Sequence, residues 1–140
     1  MRRDAILLDT NVLSELMRAA PEPKVVNFVA RIPSPFVSAA VFHELTFGVA
    51  LLPEGARKTR MTAEIEAFRI RFDRKVVAID VQIANLSGRL RADMKRAGLA
   101  LAPIDALIAA SAMSHSARLA TRNVKHFQRL GLDLVDPWTE

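Results

Sequence analysis

Hydrophobic residues along the chain follow two different patterns, and each predicts a different kind of element. Short apolar runs without polar interruption predict strands that are buried on both faces. Stretches with an apolar residue at every third or fourth position predict amphipathic helices. The predicted strands are 5–8, 36–38, 76–79, 119–121 and 132–135.

Helical patterns fill the segments between these strands. The breaks fall at polar or Pro-rich segments, such as Asp9-Thr10-Asn11 after the first strand. Strands that alternate with helices of ten or more residues pair in parallel through crossover helices. We therefore expect a doubly wound α/β fold, with helices on both faces of a parallel sheet, in a single domain over residues 1–140. The predicted helices lie within 12–17, 25–29, 39–52, 55–72, 83–98, 103–116 and 124–130.

Composition excludes several classes of protein. The chain has 140 residues and no cysteine, which excludes disulfides, a thiolate zinc site and a cysteine nucleophile. It contains neither of the glycine-rich motifs that bind dinucleotides or nucleoside triphosphates. Its longest apolar window, 99–113, is interrupted by polar residues and is too short to span a membrane. We expect a cytoplasmic protein without a membrane partner.

The charge of the chain is compatible with a nucleic-acid partner. The formal net charge is +5, and 15 of the 20 basic residues are arginines. The guanidinium fork matches phosphate oxygens in a way that lysine does not. Arginine-favouring codon usage and ordinary solvated helix faces account for the same bias equally well.

Polar residues next to the predicted strands are the candidates for chemistry, because ligands of parallel sheets bind at the carboxyl ends of the strands. Glu44 and Asp105 stand among apolar neighbours, where an unpaired carboxylate costs several kcal/mol. Asp9 and Asp105 also suit helix capping. For Asp80 a cap is the favoured interpretation. The full set is Asp9, Glu44, Asp80, Asp105 and Asn123.

If Asp9, Glu44 and Asp105 converge, the repulsion between them, about 4 kcal/mol for a close pair, must be relieved. A hard divalent cation with oxygen ligands, Mg²⁺ or Mn²⁺, does this. The lack of cysteine and of a histidine pair at ligand spacing argues against zinc. Such a site can activate a water molecule for attack on a phosphodiester.

Four ordered motifs carry a resemblance to a known family. They are LLDTNVLSE at 7–15, VFHELTFGV at 41–49, DALIAASA at 105–112 and ATRNVKHF at 120–127. Together they resemble the PIN domain of VapC-type toxins, including the FitB-like branch, which the ending VDPW at 135–138 also resembles. The resemblance covers essentially the whole chain. It implies an Mg²⁺- or Mn²⁺-dependent endoribonuclease, homodimeric and encoded with an antitoxin that blocks its site.

The resemblance assigns roles to individual residues. It makes Asp9, Glu44 and Asp105 the metal-binding and catalytic acids. It also makes Asn123 a weaker catalytic ligand, at a position where the family commonly has a fourth acid. That departure puts a second metal ion in doubt. Thr10, Asn11 and Thr121 would be supporting polar groups.

The remaining notable side chains have structural interpretations. His43 and His115 lack partners at ligand spacing, and surface or capping is favoured over acid catalysis for His126, although many relatives have an acid there. Trp138 fits a core or dimer anchor. Several aromatic side chains and Leu-rich helix faces are more than we expect one small core to need, which predicts a homodimer. The aromatic side chains are Phe36, Phe42, Phe47, Phe68, Phe72, Phe127 and Trp138.

Two other functions compete with the ribonuclease. A signalling receiver domain also has an acidic Mg²⁺ pocket in a doubly wound fold, but this chain offers Asp9-Thr10 in place of adjacent acids and no matching late lysine. A PIN scaffold that has lost catalysis and acts as an RNA- or partner-binding module is the more serious alternative, because Asn123 is uncharged.

Overall fold

The computed structural model describes residues 5–140, which form helices around one parallel sheet. The strands are β1 Ile6–Leu8, β2 Phe36–Ser38, β3 Val76–Val77, β4 Arg118–Ala120 and β5 Leu134–Val135. The α-helices are α1 Thr10–Leu16, α2 Pro23–Arg31, α3 Ala39–Ala50, α4 Ala56–Arg71, α5 Val81–Arg96, α6 Pro103–Ser114 and α7 Val124–Phe127. A 3₁₀ turn, Gln128–Leu130, follows α7.

The sheet confirms the predicted doubly wound α/β class. Its strand order is β3-β2-β1-β4-β5, and all four neighbouring pairs are parallel. Successive residues of a strand point to opposite faces, and the neighbours Leu7 and Leu8 are both fully buried. Both faces of the sheet are therefore covered.

The outer strands are shorter than the sequence pattern predicts. Residues 76–79 were expected to form a strand, but pairing ends where Val77 meets Ser38, because α3 begins at the next residue of the neighbouring strand. β5 begins at Leu134, which pairs with Leu119, and so starts later than the predicted residue 132, although the carbonyl of Asp133 still accepts from the backbone N–H of Leu119. An edge strand pairs on one side only, so β3 ends where its neighbour ends.

The topology places one crevice at the centre of the sheet. From β1 the chain builds β2 and β3 on one side, then crosses to build β4 and β5 on the other. The loops that leave β1 and β4 therefore diverge at the carboxyl ends of two adjacent strands, which is where ligands of such sheets bind. Asp9 and Thr121 are the first residues after these two strands.

We expected the aromatic side chains to be too many for one core, and the structure shows otherwise. Most lie within the core of a single copy, so that argument for a dimer is wrong, although the dimer itself stays a prediction. Phe47 is 62% exposed. Those buried in or packed against the core are Phe28, Phe36, Phe42, Phe68, Phe72, Phe127 and Trp138.

None of the helices among residues 5–140 is both long enough and apolar enough to cross a lipid bilayer.

Candidate active site

Asp9 lies at the mouth of the central crevice and is almost completely buried, with 3% exposure. Its backbone N–H donates to the carbonyl of Ala120, which ties the end of β1 to the end of β4. One carboxylate oxygen, Oδ1, accepts from the backbone N–H of Thr10 at 2.7 Å. Asp9 is therefore the N-cap of α1 as well as a candidate site residue, and the two interpretations do not exclude each other.

The second oxygen of Asp9 is held by side chains. Thr121 Oγ1 donates to Oδ2 at 2.8 Å, and Asn11 Nδ2 lies 3.4 Å from the same oxygen. Asn11 Oδ1 in turn accepts from the backbone N–H of Arg122 at 3.3 Å. The predicted supporting groups thus fix the carboxylate between the first and fourth strand exits.

The pKa of Asp9 is raised from 3.8 to about 6, chiefly because burial disfavours the charged form. The hydrogen bonds from Thr121 and Thr10 lower this pKa, while the charges of Asp105 and Glu44 raise it further. The two other predicted acids are therefore close enough to repel Asp9. No lysine or arginine forms an ion pair with Asp9 in the described part of the chain.

Glu44 is only half-buried, although its sequence neighbours are apolar. It lies on α3, and its Oε1 accepts from Thr10 Oγ1 at 2.5 Å. Thr10 therefore connects two of the acids, since its backbone N–H contacts Asp9 and its hydroxyl contacts Glu44. Within residues 5–140 the partner of Glu44 is therefore a hydroxyl group, and Glu44 forms no ion pair with a lysine or arginine there.

Asp105 lies in the first turn of α6 and is half-buried. Its Oδ2 is 3.2 Å from Nε2 of His126, which lies on α7. The interpretation of His126 as a surface or capping residue missed this contact. The available signal was its position shortly after the exit of β4.

Asn123 is exposed, and its side chain is not joined to the acids by any hydrogen bond found within residues 5–140. It occupies the N-cap position of α7, but its side chain makes no capping hydrogen bond. Its backbone N–H donates to Thr121 Oγ1 at 3.0 Å. The main chain of Asn123 therefore helps to orient the hydroxyl that holds Asp9.

Asp80 lies away from this site, as the capping interpretation predicts. Its Oδ1 accepts from the backbone N–H of Ile83 at 2.8 Å, so it caps α5. It follows β3, which is separated from β1 by β2. Trp138 packs against the core, with the guanidinium of Arg122 over its ring at 5.0 Å.

A hydroxyl pair links the two helices that carry Glu44 and Asp105. Ser38, the N-cap of α3, lies 2.9 Å from the hydroxyl of Ser111 on α6, and both side chains are fully buried. Buried polar groups are costly unless paired, so this contact holds α3 and α6 in a fixed relation.

The acids do not form a preassembled metal cluster: across the described residues, no three acidic or imidazole groups lie together as a metal-binding set. Their chemistry nevertheless fits a hard divalent cation, since Asp9, Glu44 and Asp105 offer oxygen ligands, and Asp9 is buried with no basic partner among residues 5–140. Loading such an ion would require the side chains to draw closer together.

A mostly apolar cavity of about 250 Å³ opens beside Glu44. Its walls come from α1, α3 and α4, and include Met17, Leu45 and Met61. Ser14 and Arg57 add polar groups to its lining. The site thus combines charged oxygens at the crevice with an adjoining apolar groove.

The sheet defines a doubly wound α/β protein. Its acidic site lies at the topological switch point, where the chain changes direction across the sheet between β1 and β4. The sequence pattern of the PIN domain family matches residues 6–132. The chain therefore belongs to the PIN domain family, and the resemblance to its VapC-type, FitB-like members is confirmed.

Individual relatives match over nearly their whole length. The chain is 34% identical to VapC ribonuclease Y4jK of Sinorhizobium fredii, over 95% of this chain and 97% of that protein. It is 33% identical to toxin FitB of Neisseria gonorrhoeae, over 95% and 98% of the two chains. The crystal structure of FitAcB from the same organism superposes with a TM-score of 0.86 at 33% identity, covering 96% and 99%.

Proposed function

We propose that this protein is a divalent-metal-dependent endoribonuclease, the toxin of a type II toxin-antitoxin pair, which hydrolyses RNA phosphodiesters. The observation that carries this proposal is the burial of the Asp9 carboxylate at the topological switch point, close enough to Asp105 and Glu44 for their negative charges to repel it. Its relatives named as a VapC ribonuclease and as toxin FitB support the substrate class and the biological role. The cytoplasm, where RNA is present, would be the place of action.

Asp9, Glu44 and Asp105 would hold the cation, Mg²⁺ or Mn²⁺. When bound, it would neutralise the carboxylates and supply the Lewis acidity that phosphodiester hydrolysis needs. The surrounding residues fix the position of Asp9. Thr121 and Thr10 fix both oxygens of Asp9, and Thr10 also orients Glu44, so little reorganisation of Asp9 is needed during catalysis.

The partners that we propose are RNA, an antitoxin and a second copy of the chain. An amphipathic antitoxin segment fits the apolar groove beside Glu44, where a basic side chain could reach the acids. A second copy fits the exposed apolar side chains at the end of α3, which are Phe47 and the C-cap residue Leu51, one helical turn apart.

A catalytically weakened scaffold that binds RNA or a protein partner is the second candidate. The observation in its favour is Asn123, whose uncharged side chain is exposed and bonded to none of the acids in the described structure. This candidate predicts RNA binding without divalent-dependent cleavage.

A cleavage assay with matched variants tests the proposal. Purified protein should cut RNA with Mg²⁺ or Mn²⁺ and not in excess EDTA. Asp9→Asn, Glu44→Gln and Asp105→Asn should each abolish cleavage while circular dichroism stays unchanged. Asp80→Asn, the same chemical change at a remote helix cap, should leave cleavage intact. Full activity in EDTA would contradict the proposal, and RNA binding without cleavage would favour the scaffold.

A further inference from the structure

His126 on α7 contacts Asp105 on α6, the helices that follow and precede β4 in the sequence. Nε2 of His126 lies 3.2 Å from Oδ2 of Asp105, with the side chains 36% and 28% exposed. This is the one contact that Asp105 makes with a basic side chain within residues 5–140. Solvent reaches both groups, so the pair is accessible to an ion.

The imidazole is held in place. The ring of Phe127 meets the ring of His126 edge-on, with centroids 5.0 Å apart, and Phe127 itself is fully buried. The ring of His126 is thus positioned by a core residue, with Nε2 directed at the carboxylate.

The spacing of the two atoms suits ligands of one cation. Adjacent ligand atoms of an octahedral ion, each about 2.1 Å from it, are about 3.0 Å apart. The separation of Nε2 and Oδ2 is close to this value. In the structure the two atoms are within hydrogen-bond distance of each other, and a cation between them would replace that contact.

We propose that His126 is a metal ligand through Nε2, together with Asp105, and that this nitrogen makes the site favour Mn²⁺ over Mg²⁺. The inference rests on the proposed function of the site. Mg²⁺ strongly prefers oxygen ligands, whereas imidazole suits transition metals, and Mn²⁺ accepts both. Because Asn123 carries no charge, the imidazole is the additional strong donor that this edge of the crevice offers besides the acids.

A competing role for His126 is to orient Asp105 by a hydrogen bond without touching the ion. Both roles predict weaker cleavage when His126 is replaced, so activity does not separate them. They differ in whether nitrogen is bonded directly to the metal.

Pulsed EPR of the protein loaded with Mn²⁺ shows whether a histidine nitrogen is bonded to the metal, and the measurement needs no RNA. The chain has three histidines, His43, His115 and His126. A nitrogen coupling typical of direct ligation should appear in the wild type, should change when histidine is labelled with ¹⁵N, and should disappear in His126→Asp. It should persist in His115→Gln, which alters the far end of α6.

Metal affinities give the second measurement. His126→Ala should weaken Mn²⁺ binding about tenfold or more and change Mg²⁺ binding by less than about twofold, whereas His126→Asp should strengthen Mg²⁺ binding. Bound Mn²⁺ without nitrogen coupling, an equal loss of both affinities, or no Mn²⁺ binding would each overturn the inference. Cleavage with Mg²⁺ alone would still support the proposed function in the first two cases, so the two failures are distinguishable.

Discussion

The hydroxyl of Thr121 donates to the carboxylate of Asp9 over 2.8 Å, although the two residues are 112 positions apart in the sequence. The contact forms because β1 and β4 are neighbours in the sheet and both residues stand at the strand exits. It lowers the pKa of a carboxylate that burial raises. This bond therefore partly offsets the effect of burial and favours the ionised carboxylate.

Replacing Thr121 with Val should impair the site without a change of fold. Loss of the hydroxyl raises the pKa of Asp9 further and leaves the backbone N–H of Asn123 without its acceptor. We expect the acidic limb of the pH–rate profile to move to higher pH and stability to fall by about 1–3 kcal/mol. Thr121→Ser keeps the hydroxyl and should show neither effect. A pH–rate profile that does not move in Thr121→Val would contradict this role.

The metal-free protein should lose stability as pH rises, because of Asp9. The native pKa of about 6 lies above the ordinary 3.8, so between these values the unfolded chain releases a proton that the folded chain retains. Stability therefore falls across this window, and above it the loss reaches at most about 3 kcal/mol.

Asp9→Asn isolates this contribution from other titrating groups. In EDTA, urea unfolding should show the variant gaining stability relative to the wild type between pH 4 and pH 7.5. Asp80→Asn, which alters an exposed carboxylate, should show no comparable trend. A constant difference between Asp9→Asn and the wild type at all pH values would show that Asp9 titrates normally.

Introducing a negative charge at position 123 should strengthen metal binding. An amide keeps one oxygen acceptor but lacks the full negative charge of Asp. We expect Asn123→Asp to lower the Mg²⁺ concentration needed for half-maximal cleavage and to raise the rate more at limiting than at saturating metal. Titrating the rate against Mg²⁺ for both proteins measures this. Unchanged metal dependence would indicate a site that works with one ion and without residue 123.

Ser38 should contribute to stability through the pair with Ser111. Its hydroxyl accepts from the backbone N–H of Ala40 and contacts Ser111, all in a fully buried setting. Ser38→Ala should cost about 1–2 kcal/mol in urea unfolding. Ser114→Ala, on the exposed end of α6, should cost less than about 0.5 kcal/mol. Equal costs would show that the pair does not stabilise the two helices.

Light scattering at micromolar concentration should show a homodimer. If α3 forms the interface, the double change Phe47→Glu and Leu51→Glu should give monomers, because both side chains are largely exposed in one copy. Val81→Glu, at an equally exposed apolar position on α5, should leave the dimer intact. A wild-type protein that scatters as a monomer would end the dimer proposal.

The sequence by itself determined the class of fold and the identity of the candidate acids. Uninterrupted apolar runs such as Leu7-Leu8 predict strands that are covered on both faces, and helical spacing predicts the segments between them. Local capping chemistry was equally readable, since Asp80 bonds to a residue three positions away.

Tertiary structure alone decided which distant groups meet. The contacts of Thr121 with Asp9, Glu44 with Thr10, and His126 with Asp105 depend on strand order and helix packing. The length of β3 depends on where its neighbour ends. Periodicity reports the face that a residue occupies, but not which face of another element packs against it. For this reason the sequence identified the acids, while only the fold revealed the imidazole beside one of them.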